Sequence, residues 1–186
     1  MLRQKTGLGI GLVVLFVPAI TGFSRVARAA QLSPPATAMC QFADGKTITI
    51  EYSSPRVRGR KIFGGLVPYG RVWILGANEA TSFVPTTNVT IGGKSVPAGH
   101  YSLFAVPQSD AWTLIVNKIP REDIGRMSFY PGEASDMVRV PVTTSKLPST
   151  EENFTISFVR NGSTCEMRFD WEQTRASVTV QEGSER

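Results

Sequence analysis

The stretch 154-FTISFVRNGSTCEMRFDW-171 decides the fold class of this chain. Apolar and polar residues alternate on both sides of Asn161-Gly162, as they do in strands that bury one face. An Asn-Gly pair suits a two-residue type I′ turn, because both positions of that turn need a positive φ. The stretch therefore predicts an antiparallel β-hairpin with Asn161 and Gly162 as its loop. In that register the facing apolar pairs are Phe158–Cys165, Ile156–Met167 and Phe154–Phe169.

The same period of two continues through the rest of the chain. Gly92-Gly93 predicts a second hairpin with Val89 opposite Val96, and Tyr101–Val106 is apolar on both faces, as expected of a central strand. Alternation predicts further strands in Lys46–Tyr52, Trp112–Asn117, Asp136–Val142 and Ser177–Val180. Roughly nine short strands with frequent turns indicate an all-β fold, an antiparallel β-sandwich or a jelly-roll-like barrel. Short turns of helix fit only two segments, Arg60–Leu66 and Arg121–Met127.

Residues 1–29 have the composition of a cleavable signal peptide. Arg3 and Lys5 precede an apolar run over residues 7–20, and Ala27-Arg28-Ala29 matches the small-residue cleavage pattern. Fourteen residues of helix rise about 21 Å, which is less than the roughly 30 Å of a bilayer's hydrocarbon core. We therefore expect cleavage after Ala29, no transmembrane anchor in the mature protein, and a periplasmic or secreted location.

The remaining chain reads as one domain with a nearly neutral charge. We expect an extended lead-in over residues 30–36, a single β-sandwich domain over residues 37–182, and a disordered tail over residues 183–186. The whole chain has 20 Lys and Arg against 15 Asp and Glu, a net charge of +5. Four of the basic residues lie in the predicted signal peptide, which leaves 16 basic against 15 acidic. A net charge of about +1 gives no support to nucleic-acid binding.

Cys40 and Cys165 are the only two cysteines of the chain. Cys165 lies on the apolar face of the predicted hairpin, and Cys40 shares a face with Phe42 in the first candidate strand. Both side chains are therefore expected to point into the same core. In an exported protein this placement favours a disulfide between an early and a late strand. Two buried free thiols are the alternative.

Few residues in the sequence offer catalytic or metal chemistry. One histidine, His100, and two paired cysteines cannot form a zinc cluster, and no calcium-binding loop, phosphate-binding loop or nucleophile elbow is present. His100 fits a polar position at the start of a strand. We predict no catalytic residue, no metal and no cofactor.

An arginine-rich segment is the best candidate for a ligand site. The run 53-SSPRVRGRK-61 has four basic residues within six positions and no acidic one, and Arg71 follows it among aromatic residues. Arginine side chains suit carboxylates, phosphates and sugar acids, although a solvated or salt-bridged loop is the alternative. Asn78 and Glu79 lie in a glycine-bounded turn just beyond and are included; satisfying backbone groups of that turn is their alternative role. The candidate ligand-binding residues are Arg58, Arg60, Lys61, Tyr69, Trp73, Asn78 and Glu79.

Several short runs occur together in a recognisable order. They are 54-SPRVRGRKIFGGLVPYG-70, Trp73, 76-GANEAT-81, Gly93-Lys94, 97-PAG-99 and 101-YSLF-104. Over about residues 37–182 the chain resembles the bacterial domain-of-unknown-function family DUF2911. The resemblance implies an exported bacterial protein and implies no activity. The chain departs from the family pattern at Ile74, where a basic residue is frequent, and at His100, where a threonine or similar residue is frequent.

Three hypotheses for the function follow from these residues. The first is a non-catalytic module that binds a small molecule or an envelope component. The second is a carboxylate-dependent extracytoplasmic hydrolase that uses Glu79 with a distant partner such as Asp170 or Glu172. The third is a structural module of the envelope. Convergence of the candidate ligand-binding residues in one concave pocket would favour the first.

Overall fold

The structure is a computed structural model, and it describes residues 32–125 and 129–183. The predicted signal peptide and its cleavage site at Ala29 lie outside the described residues, as do residues 184–186 of the predicted tail. Among the described residues, no helix is both long and apolar enough to cross a membrane.

In the described part of the chain nine strands form one antiparallel sheet, which confirms the prediction of an all-β fold. The helical elements of the described residues include α1 (Arg121–Ile124) and a 3₁₀ turn (Glu133–Ser135). The strands are β1 (Pro35–Gln41), β2 (Thr47–Ser53), β3 (Thr81–Pro85), β4 (Val89–Ile91), β5 (Lys94–Val96), β6 (Tyr101–Pro107), β7 (Trp112–Asn117), β8 (Asp136–Asn161) and β9 (Thr164–Glu182). Their order in the sheet is β1-β2-β3-β6-β7-β8-β9-β4-β5.

The sheet curls so that its first strands pack against the long β8–β9 hairpin. β8 pairs with β7 along its first part and with β9 along the rest, and the β8–β9 register shifts near Glu151. The Tyr52 ring of β2 packs edge-on against Phe154 of β8, and its hydroxyl accepts a hydrogen bond from the Ile156 amide at 3.0 Å. Apolar residues from both ends of the sheet therefore share one core.

The two strands of the predicted hairpin are present, but the predicted register between them is wrong. Asn161 pairs with Thr164, so the loop is Gly162-Ser163 and not Asn161-Gly162. The facing pairs are consequently Phe158–Met167 and Ile156–Phe169. Gly162 alone takes a positive φ, +61°, which matches a type II′ turn. Because the error is two residues, every apolar side chain keeps its predicted face.

Most other local predictions are confirmed. β4 and β5 form the second predicted hairpin with Val89 opposite Val96, and β6 is buried along nearly its whole length. Residues 60–66 fold into tight turns and not into helix. β1 begins at Pro35, within the residues expected to form the extended lead-in, and Gly183 donates a hydrogen bond to the Asn88 carbonyl at 2.8 Å.

The predicted disulfide between Cys40 and Cys165 is present, with Cα atoms 6.5 Å apart. It joins β1, at one end of the strand order, to β9, far along the order and 125 residues away in sequence. Both cysteines are buried in the shared core. The bridge therefore locks together the two parts of the sheet that curling brings face to face.

Replacing Tyr52 by phenylalanine is expected to lower the free energy of unfolding by about 1–3 kcal/mol, because the buried Ile156 amide loses its acceptor. Burial raises the pKa of Tyr52 above its ordinary value. Burial of the hydroxyl, and not its hydrogen bond with Ile156, raises this pKa, so the protein keeps its full stability below about pH 10 and loses stability as the pH rises further, because the unfolded chain ionises more readily. Urea titrations from pH 7 to 11 should therefore show a weaker alkaline loss in Y52F. The exposed Tyr69→Phe is the control, and an equal loss in both variants would contradict the prediction.

Candidate functional site

The arginine-rich segment is held rigidly against the bend in β8. The Phe154 amide donates to the Pro55 carbonyl and the Val57 amide donates to the Glu152 carbonyl, each at 2.8 Å. The Arg58 amide donates to the Glu152 carboxylate at 2.9 Å. These contacts make the segment a short extra pairing on the sheet, so its arginines project from a fixed backbone.

A cleft of about 540 Å³ opens beside this segment, within the usual size range of small-molecule sites. Its wall contains four arginines, and its base reaches two tryptophans. The lining residues with polar or aromatic side chains are Ser33, Arg56, Arg58, Arg60, Arg71, Trp73, Asn78 and Trp171. None of the described residues that line the cleft is a carboxylate.

The floor of the cleft is the edge of an aromatic cluster that includes all three tryptophans of the chain. Trp73 stacks on Trp171 with ring centroids 5.8 Å apart and an interplanar angle of 18°. Phe63 and Phe154 pack edge-on against Trp171, and Trp112 lies beneath, out of the cleft. The Trp171 indole N–H is buried and has no acceptor among the described residues.

The four arginines keep their positive charge free for a ligand. Arg56 donates to the Ser54 carbonyl and hydroxyl, and Arg60 donates to the Val57 and Arg56 carbonyls. The guanidinium of Arg58 reaches only the Leu32 carbonyl, at 3.5 Å. In the described part of the chain none of the four forms an ion pair. Because these acceptors are uncharged, they fix the arginine side chains without neutralising their positive charge.

Backbone strain is concentrated around the cleft. Four described residues other than glycine have a positive φ: Arg58, Leu75, Asn78 and Glu172. Arg58 and Asn78 line the cleft, Leu75 lies between two residues that line it, and Glu172 follows Trp171. Such conformations cost about 1–3 kcal/mol each and are enriched at functional sites. Their clustering marks this region of the surface as specialised.

The chain immediately before β1 closes one side of the cleft. Leu32 and Ser33 both line it, and Ser33 accepts a hydrogen bond from the Asn78 side-chain amide at 3.2 Å. The side chain of Leu32 is 66% exposed, and Leu66 and Val72 on the rim are also exposed apolar residues. The entrance to the cleft is thus apolar, whereas its wall is cationic.

The predicted ligand-binding residues divide between three surfaces. Arg58, Arg60, Trp73 and Asn78 meet at the cleft. Lys61 and Tyr69 line a neighbouring open depression, which Arg60 also borders. Glu79 lies elsewhere, in a shallow groove with Glu51 and Arg121. The seven predicted ligand-binding residues therefore do not all line one pocket, although four of them do.

The positions that depart from the family pattern have clear surroundings. His100 is exposed just before β6, with its Nδ1 atom 3.8 Å from a carboxylate oxygen of Glu122. Ile74 lines the cleft and packs against a small satellite core around Phe104. No three His, Cys, Asp or Glu side chains within residues 32–125 and 129–183 are placed to hold a metal ion.

Sequence reasoning missed three parts of the site. Arg56 belongs to the predicted segment and Arg71 follows it, yet only the fold shows that they line the same cleft as Arg58. Trp171 ends the stretch that predicts the hairpin, and only the fold shows that it lines the cleft. Nothing in the sequence indicates that Leu32 and Ser33 line the cleft, because residues this close to a predicted signal peptide are expected to form only an extended lead-in.

Comparison with known proteins places the chain in a family without assigning it an activity. No curated protein and no solved structure matches it. A protein-family model described as "Protein of unknown function (DUF2911)" matches residues 33–180, which include every residue that lines the cleft except Leu32. The rigid arginine segment, its aromatic floor and the sheet that supports both thus lie inside one family domain, and the chain belongs to the DUF2911 family.

Proposed function

We propose that this protein is a non-catalytic binding module, active outside the cytoplasm, for a small anion that carries an apolar body. One observation carries the proposal. Arg56, Arg58, Arg60 and Arg71 converge, without ion-pair partners among the described residues, on a cleft that has a tryptophan floor and no carboxylate in its described lining. An unneutralised cationic wall beside an apolar floor fits an amphipathic anion better than a neutral or a cationic ligand.

The arginines favour a carboxylate, a sulfate or a phosphate as the charged group. Each guanidinium presents five donors in a planar fork that matches the paired oxygens of such groups. Arg58 and Arg71 use little of this capacity within residues 32–125 and 129–183, where only one long contact, from Arg58 to the Leu32 carbonyl, involves either guanidinium. These two side chains are therefore the proposed anchors of the anion.

The floor and the rim favour an apolar body on the ligand. Trp73 and Trp171 supply aromatic surface, and Leu32, Leu66 and Val72 supply apolar surface at the entrance. A ring or short aliphatic chain placed there would remove that surface from water, at about 25 cal/mol for each Å². Trp171, whose buried indole N–H has no acceptor among the described residues, completes this floor.

The absence of acid–base groups in the described lining supports binding over catalysis. Glu79, the carboxylate of the hydrolase hypothesis, is exposed in another groove, where its neighbour Glu51 is paired with Arg121. The lining of the cleft contributes arginine, asparagine and serine as its polar side chains. Such a set can orient an anion, but it provides no general acid or base for hydrolysis.

The proposed extracytoplasmic location rests on two independent features. Residues 1–29 have the pattern of a signal peptide. The Cys40–Cys165 disulfide is of the kind that persists in oxidising compartments and is rare in the cytosol. Intact-mass spectrometry would test this location on the protein recovered from the periplasmic or secreted fraction of its native host. The expected result is a mature N-terminus at Ala30.

Binding is tested most directly by titrating the purified protein with matched acids and amides. Benzoate and naphthalene-2-carboxylate are expected to raise the melting temperature and to change the tryptophan fluorescence, because two of the three tryptophans line the cleft. Benzamide, which lacks the charge, and acetate, which lacks the apolar body, should have much weaker effects. At a hundredfold excess over Kd the stabilisation is about 2.7 kcal/mol. No response to any acid would reject the proposal.

Arg58→Gln and Arg71→Gln are each expected to weaken binding of naphthalene-2-carboxylate about tenfold or more, because a charge-assisted hydrogen bond contributes about 1.5–3 kcal/mol. Fluorescence titration at low salt gives the affinities. Arg160→Gln is the matched control, since Arg160 is an exposed arginine at the tip of the β8–β9 hairpin. Equal weakening in all three variants would indicate a nonspecific charge effect and contradict the assignment of the anchors.

A further inference from the structure

A second concave surface adjoins the cleft on the other side of Arg60. It is an open depression of about 830 Å³, wider and more polar than the cleft. Hydroxyl and amide side chains from β8, β9 and the β6–β7 turn dominate it: Ser109, Thr144, Ser145, Thr150, Gln173 and Thr174. We refer to this depression as the shelf.

Tyr69 gives the shelf a fixed aromatic surface. The ring lies directly over Gly64, where an added Cβ atom would approach Cε2 of Tyr69 to 2.7 Å. Gly64 also has a φ of +75°, which other residues rarely adopt, and its amide donates to the Val67 carbonyl at 2.9 Å. The ring is therefore seated on a rigid turn, yet the residue remains 43% exposed. An exposed aromatic ring that is held in place in this way is preorganised for stacking.

The charge of the shelf is also positive. Lys61, Lys146 and Arg60 border it, and within the described part of the chain none of the three forms an ion pair. Glu172 is the one carboxylate among the described lining residues, and its oxygen is 3.4 Å from the Ile62 amide, which donates to it. The available charge therefore favours an anionic occupant.

Arg60 links the shelf to the cleft. It lines both surfaces, and its guanidinium is fixed by hydrogen bonds of 3.0 Å to the Val57 carbonyl and 2.6 Å to the Arg56 carbonyl. The two surfaces are thus neighbours across a single immobilised cation. A ligand longer than one ring would pass over that cation from one surface to the other.

We infer that the shelf is a carbohydrate subsite, and that the ligand of this protein is an acidic oligosaccharide whose carboxylate group enters the cleft. Sugar rings combine apolar C–H faces, which stack on an aromatic ring such as Tyr69, with hydroxyls, which pair with the hydroxyl and amide side chains of the shelf. The position of the acid rests on the proposed function, whereas the stacking on Tyr69 does not.

The test compares saccharides that differ in length and in charge. The probes are the oligogalacturonate hexamer, galacturonic acid and the neutral maltohexaose, with naphthalene-2-carboxylate as the probe of the cleft alone. We expect the acidic hexamer to bind about tenfold or more tightly than galacturonic acid, since it reaches both surfaces. Calorimetry or fluorescence titration gives the affinities.

Variants at Tyr69 and Gly64 separate a loss of stacking from a loss of folding. Tyr69→Ala is expected to weaken hexamer binding about tenfold and to leave binding of naphthalene-2-carboxylate unchanged. Tyr69→Phe keeps the ring and should keep most of the hexamer affinity. Gly64→Ala displaces the ring while leaving it in the chain and should resemble Tyr69→Ala. Phe129→Ala, which removes an exposed aromatic residue that borders neither surface, is the control.

The possible results distinguish the two proposals. If the hexamer binds no more tightly than galacturonic acid, or if Tyr69→Ala binds it as the wild type does, the carbohydrate subsite is rejected and the anion cleft stands. If Tyr69→Ala weakens hexamer binding but Arg58→Gln does not, the subsite stands and the proposed cleft function is rejected. If maltohexaose binds as tightly as the acidic hexamer, the acidic character of the ligand is rejected.

Discussion

Replacing Cys40 and Cys165 together by alanine is expected to lower the free energy of unfolding by about 4 kcal/mol. In the chain-entropy description a disulfide restricts the unfolded chain, and the restriction grows with the length of the closed loop. The bridge spans 125 residues, so the predicted loss lies near the upper end of the usual range of about 2–5 kcal/mol. For a domain of this size the melting temperature should fall by roughly 10 °C. Urea unfolding at neutral pH measures the change.

The control for this prediction is the wild-type protein under a thiol reductant. Reduction should shift the wild-type midpoint toward that of the double-alanine variant, whereas the variant itself should not respond to the reductant. Alanine is preferred to serine because Cys165 is completely buried, and a hydroxyl there would need a hydrogen-bond partner. Equal midpoints for the oxidised and the reduced wild type would show that the bridge contributes little.

The bridge also illustrates what local sequence patterns can predict. Alternation placed Cys40 and Cys165 on core-facing positions of separate strands, and a pair of core-facing cysteines in an exported protein has few other uses. The prediction required no knowledge of which strands are neighbours. A shift of two residues in the hairpin register leaves it unaffected, because Cys165 stays on the same face.

The hairpin register itself needed more than the sequence provides. Asn161-Gly162 and Gly162-Ser163 are both acceptable two-residue loops, and the two registers bury the same side chains. The choice depends on small differences in turn geometry and on local hydrogen bonds, such as that from the Thr164 hydroxyl to the Asn161 carbonyl at 2.8 Å. Binary patterning decides a face reliably, but it distinguishes poorly between registers that differ by two.

The candidate site was predictable in composition but not in arrangement. The arginine-rich segment stands out because basic residues are concentrated there without acidic ones. Its division between a cleft and a shelf depends on pairing of residues 55–57 with residues 152–154, about 100 positions later. Hydrogen bonds between residues so far apart in the sequence leave no local pattern from which they could be predicted. The separation of Glu79 from the arginines has the same origin, because the turn that carries it faces β2 and α1.

Trp171 connects the stability of the fold with the shape of the cleft, and its truncation to alanine is expected to lower the free energy of unfolding by about 3–5 kcal/mol. The residue is 1% exposed and contacts Trp73, Phe63 and Phe154, so its removal leaves a void that the rigid aromatic cluster cannot fill by relaxing. Chemical denaturation of the variant gives the loss.

The void left by Trp171→Ala adjoins the cleft and should therefore accept a small aromatic molecule, as apolar cavities in proteins do. Added indole is expected to raise the melting temperature of this variant and to leave that of the wild type nearly unchanged. Trp112→Ala is the matched control: Trp112 is a comparably buried member of the same cluster, but it does not line the cleft. Equal rescue of both variants would mean that indole acts without entering through the cleft. If Trp171→Ala lowers the free energy of unfolding by less than about 1 kcal/mol, the floor of the cleft contributes little to the stability of the fold. Rescue confined to Trp171→Ala would show that a small aromatic molecule can pass from solvent through the cleft to the aromatic floor. The apolar body of the proposed ligand would take the same path while its acid group stays at the arginines.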